Sequence, residues 1–193
     1  MSRVPVLALC GSLRADSLNL GMLRLAERLA PELQFVGTDI VRELPLFNPD
    51  LDLSNDGAPA SVRRWRELAR AARALVIASP EYVHAASGVT KNALDWLSGC
   101  GALDGKPTVL MSASPGSTGG IRGLVALFPT LQLLGASLFD PVSISRAADR
   151  LDSTGRVFDP TVYQRVEFAM DDLRAALSTA TEFRRLLDVG ARS

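Results

Sequence analysis

The sequence predicts an α/β fold, in which a doubly wound parallel sheet of five strands has helices on both faces. Short, continuous apolar runs alternate along the chain with segments whose apolar residues recur at helical spacing. The first run, 4–10, is apolar throughout, as strands buried on both faces of a parallel sheet are. Because the 193 residues show no internal repeat and no break in composition, one domain is predicted over 1–193. The expected strand order is 2-1-3-4-5.

The first elements follow this alternation. The run 4–10 is predicted as a strand that stops at a glycine, and 18–29 as a helix with one apolar stripe that stops before a proline. A weaker strand is predicted over 34–40. The segment 44–59 is rich in Pro, Asn, Asp, Ser and Gly, so a long loop is predicted there.

The rest of the chain repeats the pattern, with Gly and Pro at most boundaries. The predicted elements are helix 62–72, strand 74–79, helix 89–97, strand 108–113, helix 121–134, a short fifth strand 137–140 and a last helix that Pro160 opens. The end, 190–193, is expected to be frayed.

Composition limits the function classes. The formal net charge is zero, which argues against nucleic-acid binding and membrane-surface binding, since both need a basic excess. It also weakens the case for an electron carrier that docks through an acidic face. Cys10 and Cys100 lack metal-type spacing, and the apolar run 4–10 is too short for a signal peptide or a membrane span. A cytoplasmic, reducing location is expected.

Three loops follow the carboxyl ends of the predicted strands, where doubly wound sheets bind ligands. The first joins a buried strand directly to a helix, so unpaired N–H groups and the helix dipole favour an anion. Ser12, Ser17 and Asn19 add neutral donors, and Arg14 can form two hydrogen bonds with phosphate oxygens. With Leu18, which opens the helix, they are predicted to bind a terminal phosphate. Alternatively, Ser17 only caps the helix and Arg14 is a solvated surface residue.

Three other phosphate-binding motifs do not fit this loop. A dinucleotide fingerprint needs Gly-x-Gly-x-x-Gly, and only Gly11 is present. A Walker loop needs Gly-Lys-Ser/Thr, which is absent. A cysteine-dependent phosphatase has five residues between its cysteine and its arginine, whereas Cys10 and Arg14 are separated by three, and Cys10 closes an apolar strand.

The second loop, 79–98, carries groups suited to a planar heterocycle. Pro80 turns the chain out of the sheet, so that the backbone amides after it can meet a ring edge. Tyr82 offers an aromatic surface, although ordinary packing is an equal alternative. Glu81 is expected to form structural hydrogen bonds. His84 is the only histidine, but it has no nucleophile or carboxylate motif beside it, so neither catalysis nor metal binding is its expected role.

The third loop, 114–120, holds three glycines within five residues, which permits a tight bend and close backbone approach. Ser114, Gly116, Gly119 and Gly120 are expected to line the other edge of the ring. A side chain at Gly119 is expected to project toward the ring. The alternative is a flexible surface turn.

The predicted helix 89–97 also carries an interaction signal. Lys91 and Asp95 are four residues apart and are expected to pair with each other or across a subunit interface. Trp96 is expected to pack inward or into a partner. Because this helix has apolar residues on more than one face, a homo-oligomer is predicted, most simply a two-fold dimer.

The three loops together resemble the NADPH-dependent FMN reductase family, a branch of the flavodoxin-like fold that includes flavin, quinone, chromate and azo-dye reductases. Gly-Ser-Leu-Arg-Ala-Asp-Ser-Leu-Asn at 11–19 is similar to its phosphate loop. The stretch 80–96 is similar to its signature Pro-Glu-Tyr-Asn followed by Gly-Val-x-Lys-Asn-Ala-x-Asp-Trp, and 114–120 to its third loop. Leu-Pro-Leu-Phe-Asn-Pro-Asp-Leu at 44–51 is similar to a run in many members. The resemblance covers residues 4–142.

The sequence departs from this family in the second loop. Val83 stands where the family usually has Asn, and 84–87 replaces a small residue followed by Ile-Pro. The edge of the flavin is therefore expected to lose a side-chain hydrogen bond, which bears on FMN affinity and on the choice of acceptor.

The resemblance implies an NAD(P)H-dependent, FMN-containing oxidoreductase that passes electrons to free flavin, a quinone or another small acceptor. It implies that the residues holding FMN are Ser12, Arg14, Ser17, Leu18 and Asn19 at the phosphate, and Pro80, Glu81, Tyr82, Val83, Ser114, Gly116, Gly119 and Gly120 around the ring. Since the flavin carries the hydride chemistry, no catalytic side chain and no metal is expected. The family also implies dimers or tetramers.

Two other functions are compatible with FMN binding. One is a flavodoxin-type electron carrier, against which the neutral charge and the central signature argue. The other is a non-catalytic FMN-binding module, and Val83 is the feature that favours it.

Overall fold

A parallel sheet forms the centre of the molecule. The structure is a computed structural model that describes residues 3–52 and 57–190, with the backbone alone over 180–190. In chain order the strands of the sheet are β1 (Val4–Cys10), β2 (Leu33–Val36), β3 (Ala74–Ala78), β6 (Pro107–Ala113), β7 (Ser137–Leu138) and β8 (Val142–Ile144). They lie in the order β2-β1-β3-β6-β7, β8 also pairs with β6, and every pairing is parallel. The predicted doubly wound sheet is confirmed, with its fifth strand in two pieces.

Helices cover both faces of the sheet. One face carries α1 (Leu18–Leu29) and α6 (Pro160–Gly190), and the other carries α2 (Ala60–Ala71), α3 (Gly88–Asp95), α4 (Ile121–Val125) and α5 (Phe128–Leu133). Strand β1 shows why the sheet needs helices on both of its faces. Val6 and Ala8 pack on the side of α1 and α6, whereas Leu7 and Leu9 pack on the opposite side. A strand that is apolar at every position is stable only between two layers of helices.

The fifth strand and the helix before it differ from the prediction. Thr108 of β6 pairs with Leu138 and Met111 pairs with Val142, so three steps along β6 face four along its partner. This extra residue is a bulge next to Pro141, which has no N–H to donate to a ladder. The helix predicted over 121–134 is likewise divided into α4 and α5.

The segment after β2 also differs from the prediction. The strand predicted over 34–40 ends at Val36, because Gly37 has a positive φ of 95° and turns the chain away from the sheet. Two short 3₁₀ turns, Ile40–Glu43 and Pro49–Leu51, interrupt the region predicted as strand and loop. The fraying predicted for 190–193 lies outside the described residues from 191 onward. Within the described residues no helix is long and apolar enough to cross a bilayer.

A hairpin that the sequence analysis missed stands above the sheet. Its strands are β4 (Glu81–Tyr82) and β5 (Ala85–Ala86), which pair antiparallel. The two residues between them, Val83 and His84, have φ values of 52° and 60°. Two successive positive φ angles define the type I′ turn of tight hairpins, in which Asn and Gly are the favoured residues. The second loop is therefore ordered by hairpin pairing, with a valine in a backbone conformation that β-branched residues rarely adopt.

Candidate functional site

The three predicted loops meet in a shallow cleft at the carboxyl edge of the sheet. The cleft has a volume of about 110 Å³. Its lining contains all five predicted residues of the first loop, together with four others from the second and third loops: Ser12, Arg14, Ser17, Leu18, Asn19, Pro80, Glu81, Tyr82 and Ser114. Sequence reasoning missed three further lining residues, Asp16, Ala113 and Pro115. Predicted residues that do not line it are Val83, Gly116, Gly119 and Gly120.

Two side chains of the first loop are occupied by structural bonds. Ser17 is the N-cap of α1, and its Oγ accepts the N–H of Leu20 at 3.2 Å. Asn19 is buried, with Nδ2 donating to the carbonyl of Ala113 and Oδ1 accepting the N–H of Ala113, each at 3.1 Å. These bonds fix α1 against the end of β6. The side chains of Ser17 and Asn19 thus position the loop more than they offer free donors.

Other donors of the first loop remain unused. The backbone N–H groups of Ser12, Leu18 and Asn19 donate to no atom of the described residues. The exposed guanidinium of Arg14 forms no hydrogen bond or ion pair there either. Four unused donors around one cleft, at a helix N-terminus, form a site for an anion. The carboxylate of Asp16 lines the same cleft and opposes a bound anion by charge repulsion.

The third loop approaches the sheet too closely for any residue but glycine at two positions. Gly120 has a φ of 82°, and a Cβ on it would lie 2.0 Å from Oγ of Ser112. That Oγ is buried and has no hydrogen-bond partner among the described residues. Gly119 has a φ of 66°, and its Cβ would lie 2.3 Å from Oγ of Ser143. The expectation that a side chain at Gly119 projects toward the ring is therefore wrong, because it would project into β8.

Glu81 fastens the hairpin to α4. Its Oε2 accepts the N–H groups of Arg122 at 3.1 Å and Gly123 at 3.4 Å, and its Oε1 lies 3.1 Å from Nδ1 of His84. The pKa of Glu81 lies below its usual range, chiefly because of the hydrogen bond with His84. The two backbone N–H groups and the nearby charge of Arg122 lower this pKa further. The expected structural role of Glu81 is confirmed. A carboxylate held in its ionised form by these bonds is poorly suited to act as a general acid.

His84 is exposed in the turn of the hairpin. Its side chain is 73% exposed, and Nδ1 lies 2.9 Å from a guanidinium nitrogen of Arg122 as well as near Glu81. Its described contacts are these two, and neither provides a nucleophile for His84 to activate. Tyr82 lines the cleft and remains 49% exposed, so its ring presents a free apolar surface at the site.

Buried hydroxyls beneath the cleft were also missed. Gly11 directly follows β1, and a Cβ on it would lie 2.1 Å from Thr90 Oγ1, 2.9 Å from Ser87 Oγ and 3.0 Å from Ser79 Oγ. Ser87 caps α3 by accepting the N–H of Thr90 at 3.1 Å. Serine at 87 just before the predicted helix was the available signal, since serine is a preferred N-cap residue.

Comparison with known proteins finds relatives over most of the chain. The family model for NADPH-dependent FMN reductase matches residues 4–149. The chain belongs to this family. An NAD(P)H-dependent FMN reductase of Pseudomonas aeruginosa is 34% identical over 175 residues, which cover 89% of this chain and 94% of that protein. A quinone reductase of Escherichia coli is 30% identical over 187 residues, with 94% and 95% covered.

A solved structure is similar over nearly the whole FMN reductase fold. It is the flavoenzyme NAD(P)H:(acceptor) oxidoreductase from Paracoccus denitrificans, with 27% identity and a TM-score of 0.80 over 91% of this chain and 98% of that one. The chain is thus an NAD(P)H-dependent flavin oxidoreductase with FMN as its cofactor.

The segments 44–51 and 80–96, which resemble motifs of the FMN reductase family, contact each other in this chain. Asn92 Nδ2 and Trp96 Nε1 both donate to the carbonyl of Pro45, at 2.9 Å and 2.8 Å, and Asn92 Oδ1 accepts the N–H of Phe47. The rings of Phe47 and Trp96 meet edge to face with centroids 5.0 Å apart. Trp96 is therefore packed inward. These contacts tie the long loop to α3, which also carries the expected ion pair of Lys91 with Asp95.

Proposed function

We propose that the cleft between the three loops is the FMN site, with the terminal phosphate on the first loop. The observation that carries this proposal is the set of unused donors, which are the N–H groups of Ser12, Leu18 and Asn19 and the guanidinium of Arg14. A phosphate group needs several donors at once, and charge-assisted bonds to it are about twice as strong as neutral ones. The dipole of α1 adds to the attraction.

The flavin ring is proposed to lie outside the narrow cleft. About 110 Å³ is available, whereas pockets that enclose a drug-sized ligand hold roughly 300–1,000 Å³. The cleft therefore suits the phosphate and the adjoining chain. The ring would rest on the exposed face of Tyr82, between the backbone of 80–83 and that of 114–120. This placement would leave room for NADPH or NADH beside the cofactor.

The chemistry that FMN would supply when bound is hydride uptake from NAD(P)H and transfer of the electrons to the second substrate. The chain's residues bind and orient it. Backbone N–H groups beside the ring favour negative charge at its edge. Glu81 holds the hairpin on α4, and Ser17 and Asn19 hold the phosphate loop on β6. No described side chain is required as an acid or a base.

A quinone is the second substrate we favour. Relatives that support it include a quinone reductase of Pseudomonas putida, 33% identical over 167 residues, and a probable NADPH:quinone oxidoreductase of Oryza sativa, 33% identical over 181 residues. A flat, neutral acceptor would use the same site once the oxidised nicotinamide has left it, which predicts ping-pong kinetics. Free flavin and other small acceptors remain alternatives for the same assay.

A homodimer or homotetramer in the cytoplasm is proposed as the working form. Leu46 is 84% exposed and Leu133 87% exposed, which leaves large apolar side chains for a subunit interface. Both cysteines are free thiols, as suits a reducing compartment. Light scattering at micromolar concentration measures the assembly, and a monomer there contradicts it.

The decisive experiment is an NADPH oxidation assay on purified protein stripped of flavin. Oxidation with a benzoquinone acceptor should require added FMN and should not be restored by an equal concentration of riboflavin. Arg14→Ala should need more FMN for half-maximal rate, whereas Arg70→Ala, at an exposed position in the last turn of α2, should match wild type. Equal rates with and without FMN would refute the proposal.

A further inference from the structure

The phosphate loop is bonded from behind by the N-cap of α3. Ser87 is 1% exposed, and its Oγ donates to the carbonyl oxygen of Gly11 at 2.7 Å. The same Oγ accepts the N–H of Thr90 at 3.1 Å and lies 3.0 Å from its hydroxyl. This hydroxyl therefore bridges two elements that are 76 residues apart in sequence.

The bond reaches the loop only because residue 11 is glycine. A Cβ there would lie 2.1 Å from Oγ1 of Thr90 and 2.9 Å from Oγ of Ser87. Contacts below about 3 Å are not sustained by real side chains. The missing side chain thus lets the Gly11 backbone rest against the hydroxyls of α3.

The bond also sets the direction of one peptide plane. In a trans peptide the carbonyl and the following N–H point in opposite directions. No described peptide is cis. With the Gly11 carbonyl drawn inward to Ser87, the N–H of Ser12 points the other way, and Ser12 lines the cleft. That N–H donates to no described atom.

We infer that Ser87 is a positioning residue for cofactor phosphate. It holds the Gly11–Ser12 peptide so that the Ser12 N–H is presented to the phosphate before the cofactor arrives. Ser87 acts through this peptide and does not itself line the cleft. A preoriented donor spares the reorganisation that a free peptide would undergo on binding. The inference rests on the proposed FMN site.

The assignment separates Ser87 from an ordinary helix cap. A cap that only stabilises α3 would affect the binding of every flavin alike, or none. A residue that aims a phosphate donor affects FMN, which has the phosphate, and spares riboflavin, which lacks it. The ratio of the two dissociation constants therefore reports the positioning role.

The test is titration of flavin-free protein with FMN and with riboflavin, followed by flavin fluorescence. Ser87→Ala should raise the FMN dissociation constant about tenfold and change that of riboflavin less than about twofold, because one charge-assisted bond is misaligned. Ser87→Thr, which keeps a hydroxyl, should restore most of the ratio. Ser98→Ala is the matched control, since Ser98 donates to the Asp95 carbonyl at the other end of α3.

A second variant covers the case in which Ser87→Ala folds poorly. Glycine lacks the hydroxyl and is one of the residues preferred at a helix N-cap, the position that Ser87 occupies in α3. Ser87→Gly should therefore lower the FMN-to-riboflavin preference in a well-folded protein.

The outcomes separate the two proposals. If Ser87→Ala and Ser87→Gly both keep the wild-type preference for FMN over riboflavin, the positioning role of Ser87 is overturned and the phosphate site is not. Equal loss of both flavins in these variants would do the same, because it is the mark of a structural cap. A wild type that binds riboflavin as tightly as FMN would overturn the phosphate site and the positioning role together.

Discussion

Replacing Val83 with asparagine should stabilise the protein. Val83 occupies a left-handed backbone conformation with a φ of 52°, at the first position of the type I′ turn. Its side chain is 97% exposed, so truncation or exchange loses almost no packing. Asparagine is one of the residues that adopt this conformation readily.

The size of the effect follows from the backbone cost. A residue with a Cβ pays about 1–2 kcal/mol in the left-handed region, and asparagine recovers roughly half of it. About 0.5–1 kcal/mol is therefore expected for Val83→Asn. For a chain of this length that corresponds to a rise in Tm of about 1–4 °C.

Circular dichroism on the flavin-free protein measures this Tm. Val125→Asn is the control, because Val125 is also an exposed valine but lies in α4, outside the residues with positive φ. Valine and asparagine have similar helix propensities, so the control should change Tm little. The strain argument fails if Val83→Asn raises Tm no more than Val125→Asn does.

Four other outcomes are expected. Arg14→Ala should weaken FMN binding about ten- to a hundred-fold, since a charge-assisted bond is worth roughly 1.5–3 kcal/mol, and should leave Tm unchanged. Asp16→Asn should tighten FMN binding about threefold at low salt by removing a repelling carboxylate. His84→Ala should keep most of the NADPH oxidation rate at saturating FMN, because the flavin carries the chemistry. Asp52→Asn should make the free energy of unfolding less sensitive to acid. Asp52 forms a two-point ion pair with Arg66, and its hydrogen bonds with that guanidinium lower the pKa of the carboxyl in the folded protein. A carboxyl with a lowered folded-state pKa adds stability that is present above its ordinary pKa of 3.8 and is lost as the pH falls through the folded-state pKa.

Each of these has a result that contradicts it. Calorimetric titration tests the two binding predictions, and an unchanged FMN affinity for Arg14→Ala would place that side chain in solvent. Tightening by Asp16→Asn that persists at high salt would not be electrostatic. Loss of turnover by His84→Ala with FMN still bound would make the histidine a substrate anchor or an acid–base group. For Asp52→Asn, urea unfolding at pH 7 and at pH 3 should give a smaller difference than in wild type, and an equal difference would exclude the ion pair as its source.

The sequence predicted the sheet and the loops at its edge because those signals are local. The run 4–10 is apolar at every position, which only a strand between two layers satisfies, and the change to helical spacing after residue 17 marks the first loop. The loops that follow parallel strands must meet at one edge. The cleft and its first-loop lining were predictable on that ground alone.

The parts that escaped prediction depend on contacts across the chain. Asn19 looked like a free donor, but Ala113 of β6 takes up its side-chain amide. The direction of a side chain at Gly119 depends on where β8 passes, and the sequence does not specify that path. The hairpin after Pro80 carries valine and histidine where turn chemistry favours Asn and Gly, so its sequence gave no turn signal.

The bulge at Pro141 has a consequence for how the molecule behaves in a crowded solution. A long, flat outer strand exposes a row of unpaired backbone groups on which another chain can add a strand, and this is a common route to aggregation. Here that side of the sheet ends in pieces of two and three residues, β7 and β8, separated by a proline that cannot donate. Neither piece is long enough to template a foreign strand. The bulge thus protects the edge of the sheet from pairing with other chains. A variant with one continuous edge strand would lose this protection and would be more prone to aggregate.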